Sequence, residues 1–326
     1  MAGGSRSARN IRRCRPLSDL ALPQASAPPA PRAERAGTGE TLAAWLLSLP
    51  AIIAFVLMLL IPTGAVVAIA FTDYELGART LRFVGLANFA ELLDDRGFVT
   101  SFRNTAFFVA VTTPVSLFGG LGLAMLIEGG TRGRALFRAV FFLPVVSLMV
   151  AMATAFQYMF HPTIGPVNAV LRLVGLAGPN WLGSSDSVMW TLSIIGVWEQ
   201  VGFNMVLFLA GLTAIPRDLY AAAEIDGVRS AWSRFVTVTW PLLGPTTLFV
   251  LTITMIRSLR VFDIVATLTQ GGPNKASEVL LYTMYSEGFT FFRMGYSSAI
   301  TVVFLVAVMV LMLLQTRLID RRVHYG

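Results

Sequence analysis

Six stretches of this chain, residues 41–72, 104–127, 139–171, 187–216, 235–256 and 294–316, carry no charged side chain except Glu199. Each has the roughly 20 residues that a helix needs to cross about 30 Å of hydrocarbon. Lipid offers no partner to a free backbone N–H or C=O, so runs of this kind must be helical. A soluble protein with six buried helices would need a polar coat. Only 13% of these residues are charged, against about 25% in ordinary soluble domains. The expected fold class is therefore all-α integral membrane, with six transmembrane helices.

The net charge of +7 does not point to nucleic acid. Seven of the 25 basic residues fall in the first 35 positions, and most others lie between the apolar runs. Basic residues beside a membrane mark its cytoplasmic side. Six spans put both termini on one side, and an N-in, C-in arrangement places 16 basic residues inside and 9 outside. Without the tail the two totals are equal, but the inner loops 128–138 and 217–234 are short and hold three arginines each. Short loops dominate orientation. Residues 1–40, rich in Arg, Ala and Pro and without apolar periodicity, are expected to be a disordered cytoplasmic tail ahead of a membrane domain at 41–326. No secretory signal is expected, because the apolar stretch starts late and is too long. Cys14, the only cysteine, can form no internal disulfide.

The loop at 216–245 has more design than a tether requires. Pro216 suits the first helical position and Asp218 the first turn. Leu219, Tyr220, Ala221, Ala222, Ala223 and Glu224 favour a helix of about three turns. Asp226-Gly227 follows, and glycine is the natural left-handed stop. A helix this short is marginal alone and needs a packing surface. Beyond Gly227, Trp232, Phe235, Val236 and Thr239 recur at helical spacing and form a largely apolar face. Pro241 and Pro245 mark the entry to the next run. The loop either docks on a partner or packs as an amphipathic segment on its own helices.

These residues resemble the EAA motif of binding-protein-dependent ABC transporter permeases of the carbohydrate branch. The match covers Leu219 to Val228, then Trp232, Phe235 and Pro241-Leu242-Leu243-Gly244-Pro245. Ala221 stands where the family has its first Glu, one residue is inserted before Trp232, and Glu224 is placed to supply the missing acid. Further segments agree in order. They are Phe83-Val84-Gly85-Leu86-Ala87-Asn88-Phe89, Arg103-Asn104-Thr105, Phe142-Leu143-Pro144, and Gly165-Pro166-Val167-Asn168. After these come Trp198 with Val201-Gly202-Phe203-Asn204-Met205, Thr269-Gln270-Gly271-Gly272-Pro273 and Met294-Gly295-Tyr296. The glycine-proline segment is closest to the MalF and glycerol-3-phosphate permease branch. The resemblance implies a MetI-like fold in a bacterial inner membrane. It implies a second permease, a pair of ATP-binding subunits and an extracytoplasmic solute-binding protein as partners. It also implies that the EAA-like loop couples to the ATPase.

No phosphate-binding loop is present. The only lysine, Lys275, lies between two runs in Gly-Gly-Pro-Asn-Lys. Two histidines and one cysteine offer no metal-ligand spacing. The chain is therefore expected to be no enzyme and to need no cofactor, with ATP bound by a partner. Glu199 is a carboxylate inside a span. Such a group costs about 2.5–3.5 kcal/mol on insertion scales and usually faces a cavity. Glu199, Gln200, Asn204, Gln157 and Tyr158 are the candidate lining of a path for a sugar or polyol phosphate, with interhelical polar contacts as the alternative role. Against the alternative of a secondary transporter or channel, the spans offer one intramembrane carboxylate and no paired charge for ion coupling. A membrane-embedded enzyme lacks a catalytic constellation.

Overall fold

Prolines and small residues decide where the apolar runs bend and how closely they pack. The computed structural model describes residues 38–130 and 133–319. All but the last three residues of the expected tail, with Cys14, lie outside that range. The chain divides into two units, Met1–Leu57 and Met58–Gly326. The first holds α1 (Thr38–Phe55), which enters a π-helical turn at Val56–Leu60. The second holds α2 (Ile61–Ile69), α3 (Ala87–Asp94), α4 (Arg96–Gly129), α5 (Arg134–Val146), α6 (Met149–Met159), α7 (Pro166–Leu173) and α8 (Val188–Ala214). It continues through α9 (Arg217–Ile225), α10 (Ala231–Arg234), a π turn (Phe235–Thr239), α11 (Trp240–Leu242) and α12 (Gly244–Leu259). It ends with α13 (Asp263–Leu268), α14 (Leu280–Tyr285), a π turn (Ser286–Thr290) and α15 (Met294–Ile319).

Four helices among the described residues are long and apolar enough to span a membrane: Ala44–Ile69, Arg96–Gly129, Val188–Ala214 and Met294–Arg317. A fifth passes only as the pair α5 and α6, bent by 102°. The run 139–171 is thus not one straight helix. Pro144 has no N–H to give the preceding turn, and Ser147 and Leu148 are both extended. The run 235–256 is also divided. In a regular α-helix Pro241 would clash with the carbonyl four residues back, and the wider π turn at Phe235–Thr239 makes room for it. α12 has 16 residues, about 24 Å of helix.

α4 and α8 form the centre of the second unit. Asp95 Oδ1 caps α4 by accepting from Gly97 N at 2.7 Å. Toward the start of both helices, Phe108, Val188, Leu192 and Ile195 pack with Phe156 of α6 and Val265 of α13. Toward their ends, Leu121, Ala124, Ile127, Met205, Phe208 and Leu209 pack with Leu243 and Val250. In lipid, close packing rather than water exclusion drives such contacts, so small residues matter. A Cβ on Gly202 would lie 1.8 Å from Phe141 O, so only glycine lets α5 approach α8 there.

Three asparagines from the family-like segments fasten the loops at the starting end of α4 and α8. Asn88 Nδ2 donates to Ala70 O (2.9 Å) and Thr72 O (2.8 Å). Asn104 Nδ2 donates to Ala276 O (3.0 Å) and Glu278 O (2.9 Å). Asn168 Nδ2 donates to Pro162 O (2.9 Å) and Pro179 O (3.1 Å), while its Oδ1 accepts from Trp181 Nε1 (2.6 Å).

Candidate functional site

The loop at 216–245 lies at the other end of α8. Pro216 is the N-cap of α9 rather than its first helical residue, and Asp218 occupies the first turn as expected. α9 stops at Gly227, where φ is +89°. Val228 N donates to Ala223 O (2.9 Å) and Gly227 N to Glu224 O (3.2 Å). These two bonds form a Schellman motif, the closure that a left-handed glycine permits. The chain then re-enters helix at Ser230, whose Oγ accepts from Ser233 N at 3.0 Å.

The helix has an inner and an outer face. Ala223 is buried, and Tyr220 packs against the core near Ile215 and Leu243. Tyr220 OH lies 3.0 Å from Thr239 Oγ1, tying α9 to the π turn. Leu219, Ala221, Ala222, Glu224, Asp226 and Gly227 are exposed. Ile225, 86% exposed, belongs to the same outward face and was not among the expected site residues. Its position one turn after Ala221 and Ala222 was the available signal. So two of the three alanines face outward and the third anchors the helix.

Trp232 is 73% exposed and stacks on Phe235, with ring centroids 5.6 Å apart. Phe235 in turn lies 5.8 Å from Trp240. This aromatic row faces Phe118, Leu121 and Met125 of α4 across an apolar crease. The second half of the loop packs on α4, while α9 presents an exposed face.

A polar cleft of about 200 Å³ lies between α8 and α12, lined by Glu199, Gln200, Arg257, Arg260, Phe262 and Asp263 among others. Arg257 Nη2 sits 3.4 Å from Glu199 Oε1, and the guanidinium lies 4.8 Å from the Phe203 ring centre. Both charged side chains remain 32% exposed. Arg260 and Asp263 are exposed at the same cleft. The structure thus joins Glu199 and Gln200 to three charged residues, Arg257, Arg260 and Asp263, that lie between the fifth and sixth apolar runs. Their separation of about 60 positions gave no signal.

The other candidates are elsewhere. Asn204 is buried in the seam between α8 and α12, where its Oδ1 accepts from Thr254 Oγ1 at 2.9 Å. Gln200 Oε1 accepts from Ser258 Oγ at 3.4 Å, so it serves both seam and cleft. Gln157 and Tyr158 are exposed on α6 and do not line the cleft. Among the described residues no group of three or more His, Cys, Asp or Glu side chains could hold a metal ion.

A charged cluster occupies the far end, beside Asn104. Tyr296 OH donates to Asp95 Oδ2 at 2.5 Å, and Lys275 Nζ lies 3.6 Å from Glu278 Oε2. Arg293 bridges Glu91 (2.5 Å) and Glu287 (3.3 Å). Burial pushes the Glu278 carboxyl above its ordinary range, and Lys275 offsets this only in part. Burial also acts on Asp95. There the Tyr296 hydroxyl and the Gly97 and Phe98 amides outweigh it and hold the carboxyl below its usual value.

Residues 116–325 match the family described as binding-protein-dependent transport system inner membrane component. The chain is 36% identical to the sn-glycerol-3-phosphate transport system permease protein UgpA of Agrobacterium fabrum over 75% of its own length and 83% of that protein. It is 32% identical to the probable ABC transporter permease protein YurN of Bacillus subtilis, covering 84% and 94%. Its fold resembles a chain of a bacterial alginate ABC transporter crystallised with an alginate pentasaccharide-bound periplasmic protein. That match has a TM-score of 0.77 at 22% identity, covering 88% and 97%.

Proposed function

The chain belongs to the family of binding-protein-dependent transport system inner membrane components, and we propose that it receives force from a separate ATPase through the loop at 216–245. It is a membrane-spanning permease subunit of an ABC importer for a carbohydrate or polyol phosphate. It works with a second permease, a pair of ATP-binding subunits and an extracytoplasmic solute-binding protein. ATP is bound and hydrolysed by the partner, and this chain needs no cofactor of its own. The end carrying α9 faces the cytoplasm, in keeping with the three arginines in each of the short loops 128–138 and 217–234.

The observation that carries this reading is the outward face of α9. A short helix, anchored inside by Ala223 and Tyr220 and closed by a Schellman turn, presents Leu219, Ala222 and Ile225 to whatever lies beyond the membrane. Small and apolar side chains on a fixed helix suit insertion into a cleft of a partner. Ala221 in place of the family glutamate makes the contact steric more than ionic. In the membrane, Glu199, Gln200, Arg257, Arg260 and Asp263 form the polar lining of the path. Carboxylate and guanidinium groups together suit hydroxyl or phosphate oxygens.

Reconstitution in proteoliposomes tests the reading. The chain alone should hydrolyse no ATP and take up no solute, and the four-component system should do both. Solute uptake by the chain alone would sink it.

A further inference from the structure

The end of α4 and the start of α5 enclose a second cavity, distinct from the cleft and the coupling loop. It has a volume of about 330 Å³ and an apolar wall of Leu123, Leu126, Ile127, Phe137 and Phe141. Its one charged wall residue is Arg134. We propose that this slot holds an acyl chain of an anionic phospholipid, whose phosphate lies against Arg134 and Arg138.

Four observations converge on that occupant. First, α4 is a membrane-length helix that ends at Gly129, so the slot straddles the boundary between hydrocarbon and water. Lipid chains are the apolar molecules present at that depth. Second, the Arg134 guanidinium is held in place, donating from Nε to Gly130 O and from Nη2 to Glu128 O. This leaves Nη1 for an outside acceptor, and a fixed guanidinium loses little freedom on binding one. Third, Arg138 lies one turn further along α5, exposed, with no ion pair or hydrogen bond among the described residues. With Arg134 on the wall and Arg138 one turn on, two described arginines give the rim positive charge. Fourth, the 13-residue α5 begins at Gly133 with no side-chain cap among the described residues, so its first N–H groups favour an anion. Basic pockets between transmembrane helices on the cytoplasmic side suit anionic head groups for the same reasons.

The placement rests on α4 and α5 lying in the membrane and not on the identity of the transported solute. A test therefore needs no transport assay. The full chain, purified in detergent, is titrated with phosphatidylglycerol or phosphatidylcholine of identical acyl chains, and native mass spectrometry counts the bound lipid. Phosphatidylglycerol should be retained more strongly than phosphatidylcholine. Arg138→Gln breaks no hydrogen bond or ion pair among the described residues. It should weaken phosphatidylglycerol about five-fold, and phosphatidylcholine, whose phosphate is offset by its own ammonium, by less. Leu126→Trp, at a residue 73% exposed, fills the slot without entering the core and should reduce both lipids. Equal retention of the two lipids by the wild-type chain would overturn the proposal. So would unchanged phosphatidylglycerol binding in Arg138→Gln and Leu126→Trp alike. Displacement of the lipid by excess inorganic phosphate would also overturn it, since the site would then be one for a free anion.

Discussion

Gly227→Val separates the shape of the coupling loop from every other property of the chain. Gly227 sits at φ +89°, and a Cβ there meets nothing within 4 Å. The Cβ of valine is unobstructed there, so its main effect is conformational. Holding a β-branched residue in the left-handed region costs about 1–3 kcal/mol. The backbone escapes that cost by giving up the Val228 N to Ala223 O and Gly227 N to Glu224 O bonds, which reorients α9 relative to α10. A bias of that size changes the population of the docking-competent loop by about 5–150-fold. The measurement is solute transported per ATP hydrolysed in proteoliposomes holding all four components. Transport per ATP should fall while membrane insertion stays normal. Gly227→Asn, which tolerates the left-handed region better, should fall between wild type and valine. Normal coupling in the valine variant would refute the reasoning. Equal impairment by valine and asparagine would mean that side-chain presence matters, not backbone shape.

Three further outcomes are expected. Ala222→Trp places a large ring on the exposed face of α9 and should abolish co-purification of the ATPase; an unchanged complex contradicts the docking model. Asn168→Ala removes three hydrogen bonds and orphans the Trp181 N–H, costing about 2–4 kcal/mol. The temperature at which the monodisperse peak disappears in size-exclusion chromatography should drop, and an unshifted curve refutes this role. Glu278 has a raised folded-state pKa, so its protonated form favours the fold. Its stabilisation is complete below the unfolded carboxyl value near 4.5 and is lost as pH rises through the folded value. Glu278→Gln should thus be more heat-resistant than wild type at pH 7–8, with the difference vanishing near pH 4. A constant difference across that range would exclude the charge as its cause.

The readable parts of this fold were those that local chemistry decides. Apolar length, interrupted only by Glu199 in α8, marked the spans of α4, α8 and α15, because lipid leaves a backbone no other choice. Gly227 marked the end of α9, because the stop needs only one residue's dihedral freedom. The parts hidden from the sequence depend on which helices meet. Pro144 was visible, yet the 102° bend beyond it arises from two extended residues, Ser147 and Leu148, with ordinary composition. Ala221, Ala222 and Ala223 look alike in sequence, and only packing against Ile215 and Leu243 turns the third inward. Likewise Glu199 stood out as an intramembrane acid, but its partner Arg257 falls just past the end of the run 235–256. A 16-residue α12, shorter than a full crossing, keeps that arginine beside α8.

That short helix also gives the loop a mechanical route to the cleft. From Ala231 to Leu259 the chain stays helical apart from Leu243, passing through the π turn and α11 into α12. α12 carries Thr254, Arg257 and Ser258, which bond Asn204, Glu199 and Gln200 of α8 in turn. Two of those contacts, at 3.4 Å, are long, and the ion pair is partly exposed, so solvent screening leaves it weak. The Thr254 to Asn204 bond is buried and shorter, at 2.9 Å. On the proposed coupling, a displacement of α9 and α10 would reach the cleft past a buried Thr254–Asn204 contact that holds and a charged rim that yields. Arg257→Ala should then leave ATPase docking and hydrolysis intact while lowering transport per ATP. Thr254→Val, which breaks the buried bond and leaves Asn204 unpaired, should reduce the yield of folded protein by about 1–3 kcal/mol of stability. If Arg257→Ala abolished docking instead, the cleft would be a structural support of the loop, and influence would run from cleft to loop.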